Sequence, residues 1–137
     1  MKVGGRKMKV RHIMIESVVT AKEDNTVKKA IEILYKKHVG SIVITDDEGK
    51  CEGIFTERDV IRVVAQEVAL DEPLRKVMTK NVITIGEDAT FEEARRCIIS
   101  HGIRHLPVVN RNGKLVGLLA IRDFLDEVFG IKFLKPY

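Results

Sequence analysis

Apolar positions along the chain fall into two spacings that alternate in a fixed order. Val18-Val19-Thr20 is a short apolar run, and Val27, Ala30, Ile31 and Leu34 then recur at i, i+3, i+4 and i+7. That second spacing predicts a helix with one apolar stripe, which needs a sheet to cover. Two continuous apolar stretches follow, Ser41–Thr45 and Cys51–Phe55, separated by Asp46-Asp47-Glu48-Gly49. The turn chemistry of that loop predicts a hairpin. A further helix starts near Thr56 and carries Val60, Ile61, Val63 and Val64. The same order then returns: Val82-Ile83-Thr84, the stripe Phe91, Ala94, Cys97 and Ile98, the pair Leu106–Val109 and Leu115–Leu119 around Asn110-Arg111-Asn112-Gly113, and a helix near Ala120 with Phe124, Leu125 and Val128. Thr26 and Thr90 stand where the first helix of each set begins, and Thr90-Phe91-Glu92-Glu93 has the spacing of a capping box. Gly102 marks the end of its helix.

The return is a true internal repeat. A shift of 64 residues lays Val10–Val60 on Leu74–Phe124 without a gap. Identical pairs include Arg11/Arg75, Met14/Met78, Asp24/Asp88, Thr26/Thr90, Gly53/Gly117, Arg58/Arg122 and Asp59/Asp123. The reading is an α/β (α+β) chain of two repeats, each strand-helix-strand-strand-helix. Neither half has a comfortable core by itself, so the two are expected to pack about a pseudo-two-fold axis. The expected boundaries are a basic arm at 1–9, the first repeat at 10–64, a linker at 65–73, the second repeat at 74–128 and a tail at 129–137.

Composition narrows the class. The 137 residues are 45% hydrophobic, 32% charged and only 5% aromatic, so a globular fold must be filled by aliphatic side chains. No apolar run approaches the ~20 residues of a membrane span, and the first residues lack the apolar stretch of a secretory signal. A soluble, cytoplasmic protein is expected. The net charge of +4 is concentrated at the start, where residues 1–12 hold five cations and no acid; the rest carries 19 cations against 20 acids. Such an arm could meet nucleic-acid phosphates, although short basic ends are most often solvated tails. Cys51 and Cys97 are too few for a disulfide framework, and they align with Leu115 and Ile33, which marks them as core positions. His101 and His105 are four apart, but Gly102 and Pro107 argue against one continuous helix there. No phosphate-binding glycine loop or nucleophile elbow is present, no metal set stands out, and no acid–base pair suggests an enzyme.

GIFTERDV at Gly53–Val60 and GLLAIRDF at Gly117–Phe124 each close a repeat that opens with Met-x-x-x-Val-x-Thr. These segments, with HLPVVNRNGKLVGLL at His105–Leu119, resemble cystathionine-β-synthase (CBS) domains, and the likeness covers about Met8–Val128. It implies a stand-alone tandem CBS pair, a homodimer, and clefts between the domains that bind adenosine-containing ligands. The implied ligand is AMP first, with ADP, ATP or S-adenosylmethionine as further candidates, its level reported to an unidentified regulated protein. No catalytic cofactor is implied.

The residues suit that chemistry. Thr56-Glu57-Arg58-Asp59 lies at a helix N-terminus, whose unpaired N–H groups favour a phosphate. A carboxylate at Asp59 matches the two hydroxyls of a ribose, Thr56 can donate to sugar or phosphate, and Arg58 offers a planar fork to phosphate. The same Thr-x-x-Asp is also an ordinary helix cap, and the two roles can coexist. By the family arrangement, the first cleft combines Thr56, Arg58 and Asp59 with Met78, Ile83, Ile103, Arg104 and His105, Ile83 and Ile103 sandwiching the purine. The second combines Arg122 and Asp123 with Val19, Val39, Gly40 and Ser41. Ala120 replaces Thr56 there, which ranks the first cleft higher. The alternatives are a nucleic-acid-binding protein that uses the basic arm, and an interaction module whose clefts stay empty.

Overall fold

A computed structural model describes residues 2–3 and 6–121. The chain divides into two compact units, one formed by Val18–Val82 and the other by Met1–Ser17 with Ile83–Tyr137. A short antiparallel ribbon, β1 (Lys2–Val3) with β2 (Arg6–Lys7), precedes both.

In the Val18–Val82 unit, β3 (Thr20–Ala21) runs parallel to β4 (Ser41–Thr45), and β5 (Cys51–Thr56) runs antiparallel to β4 on its other side. Between β3 and β4 lies α1 (Val27–Lys37), and α2 (Glu57–Ala65) follows β5 directly. Every residue of the central strand β4 is buried, as its unbroken apolar run requires. Thr26 caps α1 by accepting from the Lys29 N–H at 3.1 Å, and Val27, Ala30 and Leu34 are the buried stripe. The expected hairpin forms at Asp46–Gly49, where Gly49 takes φ +83°.

The other unit repeats the plan with β6 (Ile85–Gly86), α3 (Phe91–His101), β7 (His105–Val109) and β8 (Leu115–Ala120). Its sheet has the same order, parallel β6–β7 and antiparallel β7–β8. The capping box at Thr90 and Glu93 forms as its spacing predicts, and Gly102 ends α3 in the left-handed region. The helix expected near Ala120, with Phe124, Leu125 and Val128, lies beyond the described residues apart from Ile121. The short opening strands sit slightly later than the apolar runs Val18–Thr20 and Val82–Thr84 suggest. A parallel ladder forms only where the backbone meets β4 or β7, whereas Val19 and Ile83 use their side chains to pack on the two cores.

The folded units do not coincide with the sequence repeats, because each takes its opening turn from the other repeat. Leu74, Val77 and Met78 are buried with Val27, Ala30, Ile42 and Phe55 of the first repeat. Met8 and Val10 are buried with Phe91, Ala94, Leu106 and Leu119 of the second. Backbone bonds fix the exchange: Leu74 N–H to Asn25 C=O at 2.8 Å in one unit, Val10 N–H to Ala89 C=O at 2.8 Å in the other. A two-way bridge between Ile54 and Thr79 has its counterpart between Ile15 and Leu118. The repeated Arg and Asp now have a reason: Arg75 pairs with Asp24 at 2.7 Å, and Arg11 pairs with Asp88. The segment read as a basic arm therefore turns into core structure from Met8 onward.

Candidate functional site

Strand β5 delivers Thr56 to the start of α2, with extended backbone at φ −121° and ψ 171°. The Glu57 N–H that opens the helix donates to the Gly40 C=O at 3.1 Å, tying the start of β4 to the start of α2. Thr56 and Asp59 then form a reciprocal capping box. The Thr56 N–H donates to Asp59 Oδ2 at 2.8 Å, and the Asp59 N–H donates to Thr56 Oγ1 at 3.4 Å. The Thr56 hydroxyl also lies 3.2 Å from Asp59 Oδ2.

Asp59 is only 8% exposed, the one charged side chain buried among the described residues. A buried carboxylate requires compensation, and it comes from two residues that sequence reading overlooked. Arg62 Nη2 donates to Asp59 Oδ1 at 3.1 Å, and to the Val77 C=O as well. The Thr79 hydroxyl reaches the same Oδ1 at 3.4 Å. Arg62 could have been found, since it is three residues beyond Asp59 on one helical face. Thr79 carried no signal, because it arrives from the exchanged segment.

The other expected site residues divide between the units. Val19, Val39, Gly40, Ser41, Thr56, Arg58, Asp59 and Met78 all belong to the Val18–Val82 unit, whereas Ile83, Ile103, Arg104 and His105 belong to the other. Val19 and Val39 are partly buried on the first core, Ser41 is 5% exposed, and Arg58 is exposed. Met78 is buried and lies across Gly53, so it is a core residue first. Ile83 and Ile103 are partly buried on the second core. Arg104 is exposed while its C=O accepts from the Ile121 N–H at 2.9 Å, and half-buried His105 faces Ala120 in register. Arg122 and Asp123 lie outside the described residues.

Cys51 and Cys97 are half-buried rather than enclosed, and burial pushes the Cys51 thiol above its ordinary pKa. His101 ends α3 and His105 opens β7, so the two do not share a helix; the Cys97 C=O lies 2.9 Å from His101 Nδ1. Among the described residues, no group of three or more His, Cys, Asp or Glu could hold a metal ion, and no helix is long and apolar enough to cross a membrane. Lys9 and Arg11 of the basic segment face Asp88.

Comparison with known proteins gives this geometry a family setting. The model of the CBS domain matches twice, at residues 10–66 and 74–130. An uncharacterised 17.7 kDa protein from the bps2 3′ region of Acidianus ambivalens is 34% identical over 131 residues, covering 93% of this chain and 79% of its own. The CBS domain protein PAE2072 from Pyrobaculum aerophilum, solved with AMP, superposes with a TM-score of 0.80 at 32% identity, over 85% of this chain and 89% of that one. The CBS domain pair of protein MJ0100, solved with 5′-methylthioadenosine and S-adenosyl-L-methionine, gives 0.81 at 28% identity, over 90% and 97%.

Proposed function

This chain belongs to the CBS domain family, and from that premise we propose that it is a non-catalytic regulatory module that binds an adenine nucleotide, AMP before ADP, ATP or S-adenosylmethionine. The observation that carries the reading is Asp59, a carboxylate buried in the first turn of α2 and repeated in sequence as Asp123. Two vicinal hydroxyls present paired donors to one carboxylate, which is the ribose edge of any adenosine compound. Thr56 and the exposed Arg58 beside it supply a hydroxyl and a cation for the 5′-phosphate, at a helix end that favours negative charge. The AMP held by PAE2072 and the adenosine compounds held by MJ0100 support this ligand class.

Binding acts by selection: a nucleotide favours whichever arrangement of the chain completes its contacts, and a regulated protein reads that arrangement in the cytoplasm. The module works as a homodimer, for which the outward residues Ile61 and Val64 of α2, 70% and 65% exposed, supply an apolar face.

Titration calorimetry with AMP, ATP and S-adenosylmethionine tests the reading. AMP is expected to release heat at or below millimolar concentration, and Asp59→Ala is expected to weaken binding more than Asp123→Ala. Silence with all three compounds would refute the function, and the reverse order of the two variants would refute the placement of the main site.

A further inference from the structure

The Asp59 carboxylate has no idle acceptor position. A carboxylate offers about four, and four donors already reach this one: the Thr56 N–H and hydroxyl on Oδ2, and Arg62 Nη2 and the Thr79 hydroxyl on Oδ1. A ribose brings two donors more, so two of the present four must leave. We infer that the hydroxyls of Thr79 and Thr56 are the ones that yield, that Thr79 is therefore a built-in competitor of the ribose, and that Arg62 stays as the anchor of the carboxylate. This rests on the reading of Asp59 as the ribose ligand.

Geometry separates the four donors. The two hydroxyl contacts, at 3.2 and 3.4 Å, are longer than the usual 2.5–3.0 Å of an O–H···O bond. The N–H contact at 2.8 Å is short, and the guanidinium contact at 3.1 Å is charge-assisted. Thr79 is exposed, so its hydroxyl can turn to water at little cost. The same Arg62 nitrogen also donates to the Val77 C=O, so the guanidinium cannot swing away without losing that bond. Thr56 keeps a use after releasing the carboxylate, because its oxygen still accepts from the Asp59 N–H.

The residues of this arrangement are not repeated in sequence. At the positions equivalent to Thr56, Thr79 and Arg62 the sequence has Ala120, Ile15 and Asp126. The sequence thus repeats Asp59 as Asp123 without repeating the two competing hydroxyls or the anchoring cation. Thr79 and Val77 also belong to the exchanged segment, so the carboxylate that takes the sugar is bonded to the stretch of chain leading out of its unit. Occupancy by a ribose is thereby converted into release of Thr79.

The test is calorimetry on the full chain with AMP and 2′-deoxy-AMP, comparing wild type with Asp59→Asn, Thr79→Val, Arg62→Met and Arg62→Lys. Thr79→Val is expected to tighten AMP binding about three- to fivefold, the worth of one weak competing hydrogen bond. That gain should shrink with 2′-deoxy-AMP, which lacks one of the two donors. Arg62→Met is expected to weaken AMP binding about tenfold, because a buried carboxylate loses its charge-assisted bond, and Arg62→Lys, which keeps the charge without the planar fork, should restore part of the loss. Wild-type affinity in Asp59→Asn, or no binding by the wild type, overturns the ribose reading and this inference with it. Weak binding by Asp59→Asn with no gain in Thr79→Val overturns the competitor role alone, and unchanged affinity in Arg62→Met overturns the anchor. Should Arg62→Met fail to fold, Thr79→Val and Arg62→Lys decide the matter.

Discussion

Asp46 and Asn110 hold equivalent places in the two hairpins and do the same work with different charge. Asp46 Oδ1 accepts from the N–H groups of Glu48 and Lys50, both at 2.9 Å; Asn110 Oδ1 accepts from Asn112 and Lys114 at 2.9 and 3.1 Å. The Lys50 N–H first, then the Glu48 N–H and the charges of Lys50 and Lys22, hold the Asp46 carboxyl below its ordinary range. A depressed carboxylate contributes stability above its unfolded pKa and loses it as pH falls through the folded value. Asp46→Asn should therefore leave folding near wild type at neutral pH, and thermal unfolding below about pH 4 should fall less steeply for the variant; parallel acid limbs would contradict this. Legibility at this scale follows the range of the contact. Thr56 with Asp59, and Thr90 with Glu93, were readable because a cap is a local event set by spacing. Thr79 was not, because its contact with Asp59 depends on where a distant stretch of backbone passes.

Among elements, the strand that closes each sheet is shaped by a methionine. A Cβ on Gly53 would lie 2.7 Å from Met78 Sδ and 3.1 Å from the Thr79 C=O, and Gly117 stands in the same relation to Met14 and Ile15. The sulfur can shift, but the carbonyl is fixed by its bridge to Ile54. Gly53→Ala should destabilise by about 1–3 kcal/mol through overpacking, measured by denaturant unfolding. Adding Met78→Ala should cost less than the two single effects summed, and strict additivity would argue against the clash. The glycines were visible in sequence as a repeated pair, yet the reason for them was hidden. Alternation and stripe spacing identify strands and helices one at a time, whereas Met78 over Gly53 arises only once the opening turn of the second repeat lies against β5. Periodicity likewise placed β4, β5, β7, β8, α1 and α3 close to their observed bounds, and misplaced the two-residue strands β3 and β6, whose limits are set by a neighbour's ladder.

For the whole molecule, the basic start of the chain must be divided at Met8. Deleting residues 1–7 should leave thermal stability close to wild type, because Met8 and Val10 of the second core are kept. Deleting 1–12 removes Met8 and Val10, 7% and 0% exposed, from the second core. Loss of buried side chains of this size costs about 2–5 kcal/mol each, so hydrogen exchange should show α3, β7 and β8 losing protection while β4 and β5 keep theirs. Equal protection in both deletions would contradict the exchange. The proposed dimer is tested separately: Ile61→Glu with Val64→Glu should halve the mass measured by light scattering with AMP affinity retained, and an unchanged mass would move the contact elsewhere. Two repeats were plain in the sequence, but their trading of opening turns was not, since a 64-residue shift reads the same whichever partner each turn packs against.

That trade has a temporal side. Val18–Val82 is one uninterrupted stretch, whereas its counterpart joins residues from before Val18 to residues from after Val82. During synthesis the inner module can close once Val82 leaves the ribosome, while residues 8–17, made before it, idle until β7 and β8 have been translated. Assembly is therefore vectorial: the Val18–Val82 core can set before its counterpart, and residues 8–17 are captured only when β7 and β8 arrive.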